Sequence, residues 1–148
     1  MAAFEQKITV RWADLDPNGH VRHSAYYDYG AQARVALLEA RGLGIGWMTK
    51  QMIGPVLFRE EARFLRELRM SDVISINVML GGRSEDNRKW RIVHEIRRGE
   101  ELCAVVEVEG AWMDLRARKI TVPPEELAHA FDDAPKTEDF QLITSGRR

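Results

Sequence analysis

The fold is decided by residues 13–42, ADLDPNGHVRHSAYYDYGAQARVALLEARG. The first part, residues 13–19, is rich in the Asp, Asn, Pro and Gly residues that form tight turns. From Ser24 onward, apolar residues recur at helical spacing until Gly42, a residue that commonly ends helices. Ser24 can cap this helix at its N-terminus. The stretch therefore predicts a sharp loop followed by one long helix, from about Ser24 to Arg41.

Alternation of apolar and polar residues predicts strands on both sides of this stretch. One strand, from Phe4 to Trp12, precedes the loop, and four longer ones follow the helix with connections short enough for antiparallel hairpins. The later strands are Val56–Phe64, Ile74–Leu80, Trp90–Ile96 and Leu102–Trp112. This order is an α+β pattern without the strand and helix repetition of a doubly wound sheet. We predict a curved antiparallel sheet wrapped around the helix, whose small inward residues, such as Gly30, permit a close approach.

The chain has 148 residues, a length that suits one hydrophobic core. We predict that residues 1–122 form the main domain. Residues 123–148 are predicted to form a short helix, Glu125 to Phe131, opened by Pro123-Pro124, and then a loose polar tail to Arg148.

Composition narrows the class of protein. Lys and Arg total 22 and Asp and Glu total 23, so the net charge of -1 gives no general attraction to nucleic acid or to an anionic membrane. No apolar run is long enough to span a membrane, and Met1–Lys7 lacks the apolar block of a signal peptide. The single cysteine, Cys103, lies in an apolar run where we expect it to be buried. A soluble, cytoplasmic protein is predicted.

Reactive side chains are densest between Asp14 and Tyr26, where the predicted loop meets the start of the helix. Backbone N–H groups at a helix start carry partial positive charge and can stabilise an oxyanion. A thioester carbonyl needs little more than one carboxylate beside such groups, because its leaving thiol has a pKa of only about 8.5. Asp14 and Asp16 are also ordinary turn residues, so composition alone favours the turn.

The whole arrangement resembles the signature of the hotdog-fold acyl-CoA thioesterases related to 4-hydroxybenzoyl-CoA thioesterase, Asp-x-Asp-x-x-Gly-His-Val followed by a Tyr five residues later. The matching residues are Asp14, Asp16, Gly19, His20, Val21 and Tyr26. The order of predicted elements from about Ile8 to Arg118 is also that of the family. The resemblance implies that residues 1–122 are a hotdog thioesterase domain acting on an acyl-CoA or acyl-carrier thioester. It also implies a homodimer or a dimer of dimers, with the site completed by a second copy.

The resemblance further implies that Asp16 is the catalytic residue, either as nucleophile or as general base. The predicted substrate-binding residues are His20, Val21, His23 and Tyr26, of which Tyr26 shapes the acyl pocket or orients the site. His23 stands where many relatives carry Asn, and it either hydrogen-bonds Asp16 or the thioester or is a solvated residue at the helix start. Asp14 is interpreted as a residue that bonds loop N–H groups and fixes Asp16.

No metal and no cofactor are predicted. The histidines and aspartates of the loop match no established ligand spacing, and turn formation explains both aspartates. The glycines at Gly42, Gly44 and Gly46 follow a helix, whereas a dinucleotide-binding loop follows a strand.

Side chains outside the loop give further hypotheses. His94 is predicted to be a core or interface histidine rather than a catalyst. A cluster of basic residues is predicted around one hairpin, and it has two interpretations: it binds the phosphates of coenzyme A, or it is solvated. Its members are Arg83, Arg88, Lys89 and Arg91. Four apolar strand residues are predicted to face away from the helix and to need cover by another subunit; they are Val73, Val93, Val105 and Met113.

Two other functions remain open. A hotdog-type enoyl-CoA hydratase or dehydratase would use Asp16 with His23 to move a proton on the acyl chain, although its motif is not evident. A non-catalytic acyl-CoA or acyl-carrier binding module would use the same groove without turnover. The residues leave open the acyl chain length, the choice of aromatic or aliphatic acyl groups, and the choice of coenzyme A or carrier protein.

Overall fold

The structure, a computed structural model that describes residues 3–144, is a curved eight-stranded sheet with one long helix. Its strands are β1 (Glu5–Thr9), β2 (Ile53–Phe64), β3 (Val73–Asn77), β4 (Met79–Ser84), β5 (Lys89–Arg98), β6 (Glu101–Asp114), β7 (Lys119–Ile120) and β8 (Lys136–Ile143). Its α-helices are α1 (His23–Ala40), α2 (Ile45–Gln51) and α3 (Glu125–Ala128), and one turn of 3-10 helix spans Trp12–Asp14. The predicted α+β hotdog fold is confirmed.

The sheet is largely antiparallel, and β2 forms one of its edges. β2 pairs with β6, β6 pairs with β5, and β5 pairs with both β3 and β4, all antiparallel. On the far side, β1 lies against β3 and β8 lies parallel to β4. The strand β2 pairs with no strand other than β6 within the described part of the chain, so its other edge is open.

Helix α1 begins and ends one residue earlier than predicted. Its C-terminus is followed by Gly42, whose φ of +75° is a left-handed conformation that glycine adopts without strain. The prediction that Ser24 caps the helix is wrong: Arg22 is the cap residue and makes no side-chain cap hydrogen bond. The Ser24 hydroxyl instead accepts a hydrogen bond from Arg22 Nε at 3.1 Å.

Small residues on the buried face of α1 let the sheet come close. This face contains Ala25, Tyr29, Gly30, Ala33 and Leu37. At Gly30 the approach is closest, since a Cβ atom there would lie 2.9 Å from Cδ2 of His94 on β5. The predicted role of Gly30 in admitting the sheet is confirmed.

Gly30→Ala is therefore expected to destabilise the protein by about 1–3 kcal/mol, because the buried imidazole ring must shift to admit a methyl group. This reverses the usual order, in which Ala stabilises a helix relative to Gly by roughly 0.5–1 kcal/mol. Gly46→Ala is the matched control, since Gly46 lies in α2 and a methyl group there would enter open space. Urea denaturation should place the two variants on opposite sides of wild type. A Gly30→Ala protein as stable as wild type would contradict the close-packing argument.

His94 and Cys103 are fully buried, as predicted for both. The His94 ring donates through Nδ1 to the Asn77 carbonyl at 2.7 Å, and its Nε2 accepts from Arg34 Nη1 at 3.1 Å. Burial, together with the nearby Arg34 charge, lowers the pKa of His94 to about 4. His94 is thus a neutral core residue with both ring nitrogens hydrogen-bonded.

The predicted loose tail is wrong for Lys136–Ile143, which form β8. Two hydrogen bonds from the Arg91 guanidinium to Asp139, at 3.2 and 3.3 Å, tie β8 to β5, and Leu80 N donates to the Pro135 carbonyl at 2.8 Å. The strand is stabilised by residues far away in the sequence, which its own polar composition does not indicate. Helix α3 is also shorter than predicted. Residues 145–148 of the predicted tail, like residues 1 and 2, lie outside the described residues, and the division at residue 122 stays a prediction.

Among the described residues, no helix is both long and apolar enough to cross a membrane.

Candidate active site

An open cleft of about 330 Å³ lies at the N-terminus of α1. Every side chain predicted to bind substrate or to catalyse lines it: Asp16, His20, Val21, His23 and Tyr26. The opposite wall is the end of β2 and the residues that follow it. The structure therefore brings together residues of the loop, of the helix and of a strand that lies much further along the chain.

Asp16 is held by the turn that it helps to form. Its Oδ1 accepts the N–H of Asn18 at 2.9 Å and that of His20 at 3.3 Å, and its backbone N–H donates to the His20 carbonyl at 2.7 Å. Gly19 closes the turn with a φ of +83°, which favours glycine. The other carboxylate oxygen of Asp16, Oδ2, accepts no hydrogen bond from any residue in the described range. One oxygen thus serves the turn and the other is free for a reactant.

Asp14 has a structural role. It is buried, with 3% of its surface exposed, and its carboxylate accepts hydrogen bonds from Arg11 Nη2 at 2.8 Å and from the Tyr29 hydroxyl at 2.9 Å. Burial alone would raise the pKa of Asp14, but these hydrogen bonds hold it below its usual value. The Asp14 backbone carbonyl also accepts the N–H of Arg22, which places the start of α1 beside the loop.

The first turn of α1 has free backbone donors and begins at the cleft, which His23 and Tyr26 line. The N–H groups of His23 and Ser24 have no acceptor among the described residues, and no side chain caps this end. Such groups carry the positive end of the helix dipole and can stabilise a negatively charged oxygen. The His23 side chain is exposed on the cleft wall, with no hydrogen bond to Asp16 or to another residue within 3–144.

The sequence did not predict the second wall, which consists of Phe64, Leu65, Arg66 and Glu67. Tyr26, buried in α1, packs edge to face against Phe64 with ring centroids 4.9 Å apart. Phe64 and Leu65 are each 51% exposed, so the apolar part of this wall is open to solvent. The available sequence signal for this wall was the adjacent pair of large apolar residues, Phe64 and Leu65, at the polar end of a strand.

Backbone hydrogen bonds join the two walls. Val21 N donates to the Leu68 carbonyl at 2.9 Å, and His20 forms an isolated antiparallel bridge with Arg69. In the cleft itself, His20 Nε2 contacts Glu67 Oε2. The loop of Asp16 is therefore fixed to the segment after β2 as well as to α1.

The basic hairpin between β4 and β5 is occupied by internal ion pairs. Arg83 pairs with Asp132 at 3.1 Å, and Arg88 with Asp86 at 3.2 Å. Arg91 pairs with Glu107 and Asp139. These contacts favour the solvated hairpin over a phosphate clamp. Among residues 3–144 no group of three potential metal ligands occurs.

The family model of the thioesterase-like superfamily matches residues 10–131, which include the loop, α1 and the strands from β2 to β7. The structure is similar to that of 1,4-dihydroxy-2-naphthoyl-CoA thioesterase from Synechocystis, with a TM-score of 0.79 and 19% identity over 88% of this chain and 96% of that one. It is also similar to a gentisyl-coenzyme A thioesterase, with a TM-score of 0.76 and 18% identity over 86% and 99% of the two chains.

A third similar structure is a hypothetical protein from Staphylococcus aureus that was solved in complex with CoA. Its TM-score is 0.80 at 18% identity, over 92% of this chain and 88% of that one. At such identities, these structural likenesses establish the hotdog fold, and the residues of the cleft must carry the argument about chemistry.

Proposed function

Because the chain belongs to the thioesterase-like superfamily, we propose that it hydrolyses an acyl-CoA to the free acid and the coenzyme A thiol, with Asp16 as nucleophile or general base. The observation that carries the proposal is the position of Asp16. Asp16, whose Oδ2 is unbonded among the described residues, lines the cleft at which α1 begins with free N–H groups.

The chemistry needs these two features and little else. As general base, Asp16 takes a proton from water while the water oxygen bonds to the thioester carbon. As nucleophile, the carboxylate bonds to that carbon itself and displaces the thiolate, and water then hydrolyses the resulting acyl-enzyme. On either route the carbonyl oxygen becomes negatively charged, and the N–H groups of His23 and Ser24 stabilise that charge. The C–S bond then breaks, and the weakly basic thiolate leaves and takes up a proton.

The cleft walls suit an acyl group. Phe64, Leu65 and Val21 provide apolar surface, and Tyr26 closes the inner end with its ring against Phe64. Burial raises the pKa of Tyr26, so its hydroxyl stays protonated and can donate a hydrogen bond. These contacts support an acyl-binding role for Val21 and Tyr26.

A panel of short, long and aromatic acyl-CoA esters, followed by thiol release, tests the proposal. Thiol release from at least one ester, unchanged by EDTA, is expected. Absorbance of an enoyl thioester in the same wells would reveal a hydratase. Binding of acyl-CoA by calorimetry, with no turnover across the panel, would replace our proposal with a non-catalytic binding module.

The enzyme is proposed to act as a homodimer or dimer of dimers, with β2 at the subunit interface. β2 has a free edge, and the apolar residues Leu57 and Phe58 on it are 46% and 56% exposed. A long open strand with exposed apolar residues is a surface that proteins usually cover. The cleft, which opens at the end of β2, would then be covered by the second copy.

The free edge of β2 supports an interface more than the four apolar residues that were predicted to face away from the helix. These residues are Val73, Val93, Val105 and Met113. Val93 is already buried within the chain, and of the four residues only Val73 is largely exposed. The outer surfaces of β2, β5 and β6 instead carry ion pairs, such as Arg59 with Glu109 at 3.2 Å.

Phe58→Lys is expected to weaken the dimer by about 2 kcal/mol or more, roughly 30-fold in dissociation constant, because a charge would be buried at the interface. Val122→Lys is the control, since Val122 is 49% exposed but lies outside the sheet. Light scattering over a concentration series measures both. A wild-type protein that is monomeric at micromolar concentration would contradict the proposal, as would equal effects of the two substitutions.

A further inference from the structure

Glu67 has no part in the chemistry described above, yet it lies in the same cleft as Asp16. Its Oε2 has two partners, because it contacts His20 Nε2 and lies 3.4 Å from Arg69 Nη2. The side chains of His20 and Glu67 are 35% and 49% exposed, so the pair is accessible from the cleft without being free in solvent. The resemblance that identified Asp16 includes no residue at this position.

The backbone around Glu67 is fixed from two sides. The Arg98 guanidinium donates to the Glu67 carbonyl at 3.1 Å, and it is itself held by Asp72 at 2.8 Å and Glu101 at 2.7 Å. The next residue, Leu68, accepts the N–H of Val21. Glu67 therefore presents its carboxylate from an anchored segment.

His20 is coupled to Asp16 through the turn. The His20 N–H donates to Asp16 Oδ1 and the His20 carbonyl accepts the Asp16 N–H at 2.7 Å. Any contact that fixes the His20 side chain therefore also limits the movement of the carboxylate. The Glu67 carboxylate is the one side-chain partner of the His20 ring within the described residues.

The contact with Glu67 also determines which ring nitrogen of His20 carries the proton. A carboxylate accepts hydrogen bonds, so Nε2 must be the protonated nitrogen, and the neutral ring then has its lone pair on Nδ1. Carboxylates fix histidine tautomers in this way at many catalytic sites. Nδ1 is thereby an acceptor in a cleft where Asp16 needs a correctly oriented water.

We propose that Glu67 is a positioning residue that holds His20 so that Nδ1 accepts a hydrogen bond from the hydrolytic water. The inference rests on the proposed thioesterase function. In the hydrolytic step one O–H bond of the water breaks and its proton goes to a carboxylate, while the water oxygen bonds to the acyl carbon. The second O–H stays intact and donates to His20. A water held by two acceptors reaches the acyl carbon in a defined orientation.

A double-mutant cycle separates this role from a merely structural contact between Glu67 and His20. The variants are Glu67→Ala, His20→Ala, the double variant and Glu67→Gln, each assayed for kcat and KM with an acyl-CoA that wild type hydrolyses and checked by thermal melting. Asp133→Ala is the control, because it removes a comparable exposed ion pair, with Arg41 at 2.9 Å, away from the cleft.

Glu67→Ala is expected to lower kcat by about 10- to 100-fold with little change in KM, as removal of a residue that orients a reactive group does elsewhere. Glu67→Gln keeps a carbonyl acceptor for Nε2–H and should recover most of that loss. In the His20→Ala background, Glu67→Ala should have no further effect. Asp133→Ala should leave kcat unchanged.

Equal losses from Glu67→Ala in both backgrounds would overturn the inference, since Glu67 would then not act through His20. Loss of folding in Glu67→Ala would also overturn it, because the pair would be a stability element. Failure of the proposed function has a different signature: no variant, and no wild-type protein, would release thiol from any ester.

Discussion

Asp16→Asn is expected to lower kcat for acyl-CoA hydrolysis by about 10²–10⁴ while the protein stays folded and binds substrate. Asn retains a carbonyl oxygen that can accept the N–H groups of Asn18 and His20, so the turn can persist. The unbonded Oδ2 becomes an amide nitrogen, which can neither attack as an anion nor take a proton from water. The experiment compares steady-state kinetics and circular dichroism of the variant and wild type.

Asp14→Asn is the matched control, because it makes the same chemical change two residues earlier. Its carboxylate is buried and bonded to Arg11 and Tyr29, so we expect a loss of about 1–2 kcal/mol in unfolding free energy and only a small change in kcat. The assignment of Asp16 fails if Asp16→Asn retains near wild-type turnover with an unchanged spectrum. It fails equally if Asp14→Asn is the more damaging change in a folded protein.

The sequence predicted the fold because its dominant signals are local. Helical spacing from Ala25 to Leu37 and alternation along β5 and β6 reflect which residues face the core, and the structure buries them accordingly. Gly30 was informative for the same reason, since a missing side chain on the inward face indicates a close neighbour. The identity of that neighbour, His94, required the register of β5 against α1.

Elements stabilised by distant contacts were not predicted. The tail pattern around Lys136 and Phe140 is too polar to indicate a strand, and the contacts that stabilise one there include the edge of β4 and the guanidinium of Arg91. Helix α2 is seven residues long and lies in a glycine-rich stretch, a composition that indicates a turn.

The candidate site was half predicted, and the reason is again distance along the chain. Loop residues from Asp16 to Tyr26 are contiguous and carry a recognisable order of residue types. Glu67 and Phe64 reach the cleft only because β2 ends beside the loop. No local sequence pattern predicts where β2 ends relative to the loop. The position of Glu67 opposite His20 therefore follows from the structure, in which His20 forms an antiparallel bridge with Arg69.

Acidification from pH 6.5 to pH 4 is expected to cost about 3 kcal/mol of unfolding free energy through His94 alone. In the unfolded chain the histidine has its ordinary pKa of 6.5, whereas in the fold its pKa is about 4. Between these values the unfolded state binds the extra proton, so stability rises with pH in that window. The contribution is fully present above pH 6.5 and is lost as the pH falls towards 4, at about 1.36 kcal/mol for each pH unit.

The main physical cause of the lowered pKa is burial of the ring, and a charged His94 also has no counter-ion among the described residues. Its Nε2 faces the guanidinium of Arg34, and its Nδ1 already donates to the Asn77 carbonyl. Beyond Arg34 lies the carboxylate of Glu60, whose Oε2 is 3.9 Å from Arg34 Nη2. This carboxylate pairs with the guanidinium of Arg34 and not with His94. A proton on Nε2 would place two positive groups side by side in the core, where the energetic cost of unpaired charge is high.

His94→Gln tests this, because an amide can donate to Asn77 and accept from Arg34 but does not titrate. Urea denaturation at several pH values should show a variant that is less sensitive to pH between 6.5 and 4 than wild type. Groups that share no contact with His94 cancel in the difference between the two curves. Asp14 is one of them, and its lowered pKa also confines its effect to more acidic solutions. His129→Gln, at an exposed ion pair with Asp132, is the control for a histidine outside the core. Parallel curves for wild type and His94→Gln would show that His94 is not held neutral by the fold.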